Sequence, residues 1–229
     1  MTIHVGDELI RSDVSLVGDL HATSADLPAA YRLYVKRALD VALVLIAALP
    51  ALLMILPIAL VIAAEGAAPF YGQKRVGRNG RVFRMWKLRS MVPNADEMLH
   101  AHLEQNPQAA AEWRMHQKLR DDPRITPLGR IIRKTSLDEL PQLWNVLKGD
   151  MSLVGPRPMM LEQRAIYPGA AYYAMRPGIT GFWQTSERNE SSFVERAAYD
   201  ADYLRKLSFA TDIKVLLRTV RVVMVGTGC

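Results

Sequence analysis

The sequence predicts an α+β fold that is mostly helical, with a re-entrant membrane helix-hairpin near the N-terminus, a small β-hairpin and interfacial amphipathic helices. Three observations carry that expectation. Residues 41–64, VALVLIAALPALLMILPIALVIAA, contain no charged side chain. An Asn79-Gly80 pair stands between two short segments, and Asn-Gly is a strong hairpin-turn signal because both residues tolerate positive φ. Most of the remaining chain divides into helical stretches punctuated by proline and glycine.

Residues 1–30 are mixed and polar, without a sustained period, and read as a flexible lead-in. The segment 31–66 follows. Its apolar run exceeds the roughly 20 residues that a membrane helix needs. About forty residues precede the run and no small-residue cleavage site follows it, which argues against a signal peptide. A buried core helix is the bland alternative. Both flanks are basic, with Lys36 and Arg37 before the run and Lys74, Arg75, Arg78, Arg81 and Arg84 after it, whereas a single span carries its excess of Lys and Arg on one side. Pro50 and Pro57 interrupt the run, and each removes a helix hydrogen bond. A helix that dips into one leaflet, bends at Pro50 and returns to the same face accounts for both features. A kinked span accounts for the prolines alone.

The remainder, 67–229, reads as one domain. Strands are expected over about 69–76 and 81–89, on either side of Asn79-Gly80. From Asn94 to Leu119 the pattern is helical with a break near Asn106-Pro107, and DDPRITPLGRIIRKT ends in a short basic helix. LEQRAIYP reads as a short helix, RPGITGFWQTSERNESS as a loop, and 192–206 as a charged helix. The closing segment ATDIKVLLRTVRVVMVG is helical, with Lys214, Arg218 and Arg221 on one side. It is either an interfacial helix or a core helix with a solvated stripe.

The chain has 229 residues and a net charge of +6, with a pI of about 9.5. That balance calls for an anionic partner: nucleic acid, a phosphate-bearing substrate or an anionic membrane surface. Nucleic acid is disfavoured, because the arginines gather around the apolar run and an acid pair rather than interleaving with aromatic residues. The single cysteine, Cys229, forms no intrachain disulfide and fits a reducing compartment.

The acid pair is Asp138-Glu139, within TSLDELPQLWNVLKGDMSLVGPRP at 135–158. Ser136-x-x-Glu139 and Thr135-x-x-Asp138 both match a capping box, so the acids read equally as ordinary caps at a helix N-terminus that keeps them ionised. Pro141 places the start of that helix close to Asp138. Around them lie Arg130, Arg133 and Lys134 upstream, with Arg157 and Arg176 downstream. Carboxylates with arginines and tight Gly-Pro turns suit a metal-bound phosphate. No P-loop or Gly-x-Gly-x-x-Gly is present, and His100 and His102 lack zinc spacing.

These residues carry a resemblance. KRALD, QKRVGRNGRVFRMWKLRSM, DDPRITPLGRIIRKTSLDELPQLWNVLKGDMSLVGPRP, MRPGITGFWQTSERN and TDIKVLLRTV, in that order over about residues 35–228, resemble the bacterial sugar transferases. These are small monotopic phosphoglycosyl transferases, and the chain is especially similar to the exopolysaccharide type. The resemblance implies transfer of a sugar-1-phosphate, galactose or glucose, from a UDP-sugar to undecaprenyl phosphate with Mg²⁺. It places the reaction at the cytoplasmic face of a bacterial inner membrane. It assigns the nucleophile to Asp138, with Glu139 as metal ligand or proton relay and both acids at the metal. Phosphate and nucleotide contacts fall to Arg133, Arg157 and Arg188, with less defined roles for Arg176, Lys87 and Arg89. Membrane lipid is an implied partner and a homodimer is left open. The family's Ser-Pro in the membrane helix is replaced by Leu49-Pro50 and Leu56-Pro57, and Glu187 stands where a glycine is common. The competing reading is a non-catalytic membrane-anchored scaffold.

Overall fold

The computed structural model describes residues 31–116, 119–186, 193 and 195–225. The lead-in 1–30, Glu187 and Arg188 lie outside the described residues. A π-helical turn, Tyr31–Val35, opens onto α1, Lys36–Ala64, which runs through Pro50 and Pro57. Only 17% of the most apolar stretch of α1 is buried. A core helix would be mostly buried, so that alternative fails, and Ile46, Leu49, Leu53 and Leu60 are left exposed.

Both ends of α1 nevertheless land on the same domain. At its start, Lys36 Nζ lies 2.6 Å from Asp212 Oδ2, and Arg37 donates to the carbonyls of Val146 and Leu147. Asp40, buried, accepts from Ser152 Oγ at 2.8 Å and from the Leu153 amide at 3.0 Å. Toward its end, Ala59 and Ile62 pack with Leu88 and Ile132.

The hairpin forms as expected. β1, Phe70–Val76, pairs antiparallel with β2, Val82–Leu88, from Phe70↔Leu88 to Val76↔Val82. Asn79 and Gly80 adopt φ of 57° and 75°, a left-handed region that Asn and Gly enter at low cost. The polar segment gives α2, Ala95–Gln105, and α3, Pro107–His116, broken at Asn106. α4, Pro127–Lys134, has Pro127 in its first turn and is capped by Thr126 Oγ1, which accepts from the Gly129 amide at 2.9 Å.

A 3₁₀ turn, Leu137–Glu139, leads to α5, Gln142–Lys148. Then come β3, Ser152–Val154, and a 3₁₀ turn over Glu162–Ile166 where the sequence predicts a short helix. A four-residue turn α6, Ala171–Ala174, precedes β4, Gly178–Thr180, which pairs parallel with β3. α7, Arg196–Arg205, and α8, Phe209–Val225, complete the fold. The core is split into four small clusters. Two of them take residues from α1, with Val44 beside Met85, Val146 and Met151 in the other.

Candidate active site

Asp138 is held from both sides by its own chain. Upstream, Thr135 Oγ1 donates to the carbonyls of Ile131 and Ile132, closing α4. Ser136 then turns at φ 58°. Downstream, Pro141 introduces α5. Leu137 packs against the cluster of Leu88 and Ile132, which turns the neighbouring Asp138 inward, and the residue is 5% exposed.

The capping expectation is corrected here. Ser136 makes no side-chain cap bond, because its left-handed backbone breaks the geometry a capping box needs, and Thr135 serves the end of α4 instead. The two acids occupy a 3₁₀ turn rather than the first turn of α5.

Their cation comes from β2. Lys87 Nζ lies 3.3 Å from Asp138 Oδ2 and 2.7 Å from Glu139 Oε1. One buried amide sets that strand against α5: Asn145, fully buried. Its Oδ1 accepts from the Trp86 amide at 3.0 Å and its Nδ2 donates to the Arg84 carbonyl at 2.7 Å. The register of β2 is thereby fixed one residue from Lys87. The sequence analysis missed Asn145. Its only signal was a polar residue between Trp144 and Val146, three positions after Gln142, which is also buried on α5.

Burial pushes the Asp138 carboxyl above its ordinary range. The charge of Lys87 pulls it back, Glu139 pushes it up, and Arg133, in the last turn of α4, pulls it down. Ionisation of Asp138 therefore depends on nearby cations rather than on a helix terminus. Among the described residues there is no cluster of three or more His, Cys, Asp or Glu, so the donor set is two carboxylates. Mg²⁺ characteristically takes one or two carboxylates and completes its shell with phosphates and water, and two carboxylates already sharing one ammonium group fit that pattern.

The arginines of the sequence reading separate into groups. Arg157, in the loop after β3, stacks its guanidinium over Trp183, 5.7 Å from the ring centroid. Arg75 on β1, to which the sequence analysis gave no site role, donates to the Pro158 carbonyl at 3.2 Å, one residue beyond Arg157. Arg176 turns elsewhere: its Nε donates to the Gly149 carbonyl at 3.0 Å, at the end of α5. Arg89 braces the junction between α1 and β1, donating to the Ala68 carbonyl at 2.7 Å. Arg188 lies outside the described residues.

Interlocked glycines fasten the Arg157 loop. The Gly155 amide donates to the Thr180 carbonyl at 2.9 Å, and the Gly178 amide to the Pro156 carbonyl at 2.8 Å. A Cβ on Gly178 would come within 2.1 Å of the Gly155 nitrogen, a contact only glycine avoids.

Residues 31–226 match the profile of a family described as "Bacterial sugar transferase". Among curated relatives, the exopolysaccharide production protein ExoY of Sinorhizobium fredii is 44% identical over 84% of this chain and 87% of its own. The undecaprenyl-phosphate galactose phosphotransferase of Salmonella typhimurium is 48% identical over 73% of this chain and 36% of its own. The UDP-glucose:undecaprenyl-phosphate glucose-1-phosphate transferase of Caulobacter vibrioides is 43% identical over 81% of this chain and 68% of its own. The chain thus spans most of one relative and about a third of another. With the fold, the acid pair and these likenesses in hand, the chain belongs to the bacterial sugar transferases, a family of enzymes.

Proposed function

We propose that this protein is a phosphoglycosyl transferase. It moves a sugar-1-phosphate, galactose or glucose, from a UDP-sugar to undecaprenyl phosphate in exopolysaccharide synthesis. The observation that carries the reading is the buried Asp138 carboxylate, drawn with Glu139 onto the single ammonium of Lys87. A capping or salt-bridging acid has no need of burial against a second acid. A nucleophilic carboxylate does, because desolvation and fixed cations ready it to meet a phosphoanhydride.

In the first step an Asp138 oxygen attacks the sugar-linked phosphorus. A new P–O bond forms, the bridging P–O bond breaks and UMP leaves. In the second step a phosphate oxygen of undecaprenyl phosphate attacks the same phosphorus, forming the diphosphate-linked sugar and returning the Asp138 carboxylate. Two sequential attacks let a soluble donor and a lipid acceptor use one site in turn. Lys87 and Arg133 oppose the charge that gathers there, and Arg157, with Arg188, holds phosphate oxygens. Mg²⁺, held by Asp138 and Glu139, would supply neutralisation of the donor's phosphate charge.

The acceptor is a membrane lipid, and the exposed apolar middle of α1 supports docking in a bilayer. Because both ends of α1 contact one domain, the reading is re-entrant, with the bend at Pro50 and the domain at the cytoplasmic face of the inner membrane. On α8, Lys214, Arg218 and Arg221 line one surface together with exposed Phe209 and Leu217. That pairing of cations with apolar groups supports an interfacial helix.

The test incubates purified protein with UDP-sugars, Mg²⁺ and undecaprenyl phosphate and measures UMP. Release is expected with one hexose donor, abolished by Asp138→Asn and by chelation of Mg²⁺. A fully active Asp138→Asn protein overturns the assignment of the nucleophile.

A further inference from the structure

Asn145 is a polar side chain without exposed surface, and burying an amide is costly unless its hydrogen bonds are made. Both polar atoms of this side chain are engaged. Oδ1 accepts from the Trp86 amide at 3.0 Å, and Nδ2 donates to the Arg84 carbonyl at 2.7 Å and to Asp150 Oδ2 at 3.3 Å. A primary amide carries the same donor and acceptor as a peptide group. β1 and β2 form a two-stranded sheet, so one edge of β2 is covered by no strand. Asn145 closes that edge as the peptide group of a neighbouring strand would.

The base that carries Asn145 is itself fastened. The Asn145 carbonyl accepts from the Asp150 and Met151 amides at 3.0 and 3.2 Å. Arg37, from the start of α1, donates to the next two carbonyls, those of Val146 and Leu147. Arg176 Nε donates to the Gly149 carbonyl at 3.0 Å.

On the other side of the clamp, Lys87 follows Trp86 directly. Side chains alternate along a strand, so Lys87 shares a face with Met85, and Met85 packs with Val146, the neighbour of Asn145. The ammonium at the end of that face lies 3.3 Å from Asp138 Oδ2 and 2.7 Å from Glu139 Oε1. The longer contact has little to spare, since a further ~0.5 Å takes it outside hydrogen-bond range.

We propose that Asn145 is a positioning residue for the transfer: its amide clamps β2 to α5 and so delivers the Lys87 ammonium to the acid pair. The proposal rests on the transferase reading above. Asn145 acts through Lys87 and not on the reacting atoms. The turn that holds both acids, Leu137–Glu139, leads directly into α5. A bond from α5 to β2 therefore sets the spacing between the acids and their cation. A misplacement of about 1 Å in such a site costs up to about 100-fold in rate. The competing role is plain packing, in which Asn145 holds the domain together with no special bearing on Lys87.

The test is a double-mutant cycle on full-length detergent-purified protein. It is read as kcat/KM for UMP release from UDP-sugar in the presence of Mg²⁺ and undecaprenyl phosphate. Asn145→Ala removes both bonds to β2. Asn145→Asp keeps an acceptor for the Trp86 amide and sets an oxygen against the Arg84 carbonyl. Lys87→Met removes the ammonium and keeps an apolar stem. Each Asn145 substitution is expected to lower kcat/KM by about 10- to 100-fold in the parent background. In the Lys87→Met background the same substitution should change it by less than about twofold, because the group it positions is gone. Equal losses in both backgrounds overturn the proposal in favour of packing, and so does parental activity in Asn145→Ala. A second measurement requires no variant to fold. With isotope-labelled tryptophan, NMR should show the Trp86 amide of the parent protein exchanging with solvent at least about 100-fold slower than an unprotected amide. Unprotected exchange there overturns the clamp whatever the activity. Because exchange involves no substrate, the two failures are distinct. A parent protein with a protected Trp86 amide that releases no UMP from any UDP-sugar defeats the transferase reading, and this role for Asn145 with it.

Discussion

Asp200 shows how strongly this small domain charges its interior. Burial is the main cause that lifts its carboxyl from the ordinary 3.8 to about 6, against the opposing Tyr167 hydrogen bond and Arg196 charge. A pKa raised on folding means that the protonated form is favoured in the native state. The stabilisation is therefore complete below about pH 4 and is lost as pH rises through 6. Over that window the loss approaches about 3 kcal/mol. Asp200→Asn keeps an acceptor for Tyr167 without the charge. Its thermal midpoint relative to the parent protein is therefore expected to improve steadily from pH 4 to pH 7. A difference that stays flat with pH contradicts the assignment. At this scale the sequence revealed the acid pair and Arg157, because motifs record residue types at short spacing. Asn145 and Arg75 were hidden, since their partners lie 59 to 61 and 83 residues away in the chain.

Among the elements, the hairpin and most helices were legible, because Asn79-Gly80, Asn106-Pro107 and Pro127 are local punctuation. The three-residue parallel pair of β3 and β4 was not. Its strands are too short to show a period, and the pairing is set by glycines packed backbone to backbone. That packing makes a sharp prediction. Gly178→Ala drives a Cβ to 2.1 Å from the Gly155 nitrogen and 2.4 Å from the Thr180 carbonyl oxygen. Relief requires the two loops to separate, at a cost of about 1–3 kcal/mol, and displaces Arg157. Both the thermal midpoint and the transferase rate are expected to fall. An unaffected midpoint would show that the loops are not locked in this way. The capping box failed as a sequence argument at this scale too. Thr135, Ser136 and the acids match its spacing, yet one positive-φ residue, Ser136, redirects the chain.

For the molecule as a whole, the apolar run was plain in the sequence, while its relation to the domain was not. The contacts at Lys36, Arg37 and Asp40 join residues more than a hundred positions apart, beyond the reach of any periodicity argument. They tie the start of α1 to the domain that also receives its end. A re-entrant helix is expected to place Tyr34 and Lys74, both exposed, on the same side of a vesicle. Cysteines introduced there, with Cys229→Ser in the background, should react with an impermeant reagent from one side only. Labelling from opposite sides contradicts the re-entrant arrangement and points to a span.

The central claim is that Asp138 carries the sugar phosphate between donor and acceptor. It is tested most directly by intact-protein and peptide mass spectrometry after incubation with UDP-sugar and Mg²⁺ but no lipid acceptor. The account predicts a gain of one hexose phosphate, mapped to Asp138, accompanied by UMP and discharged when undecaprenyl phosphate is added. A protein that gains no mass, and releases UMP only when donor and acceptor are both present, would contradict it.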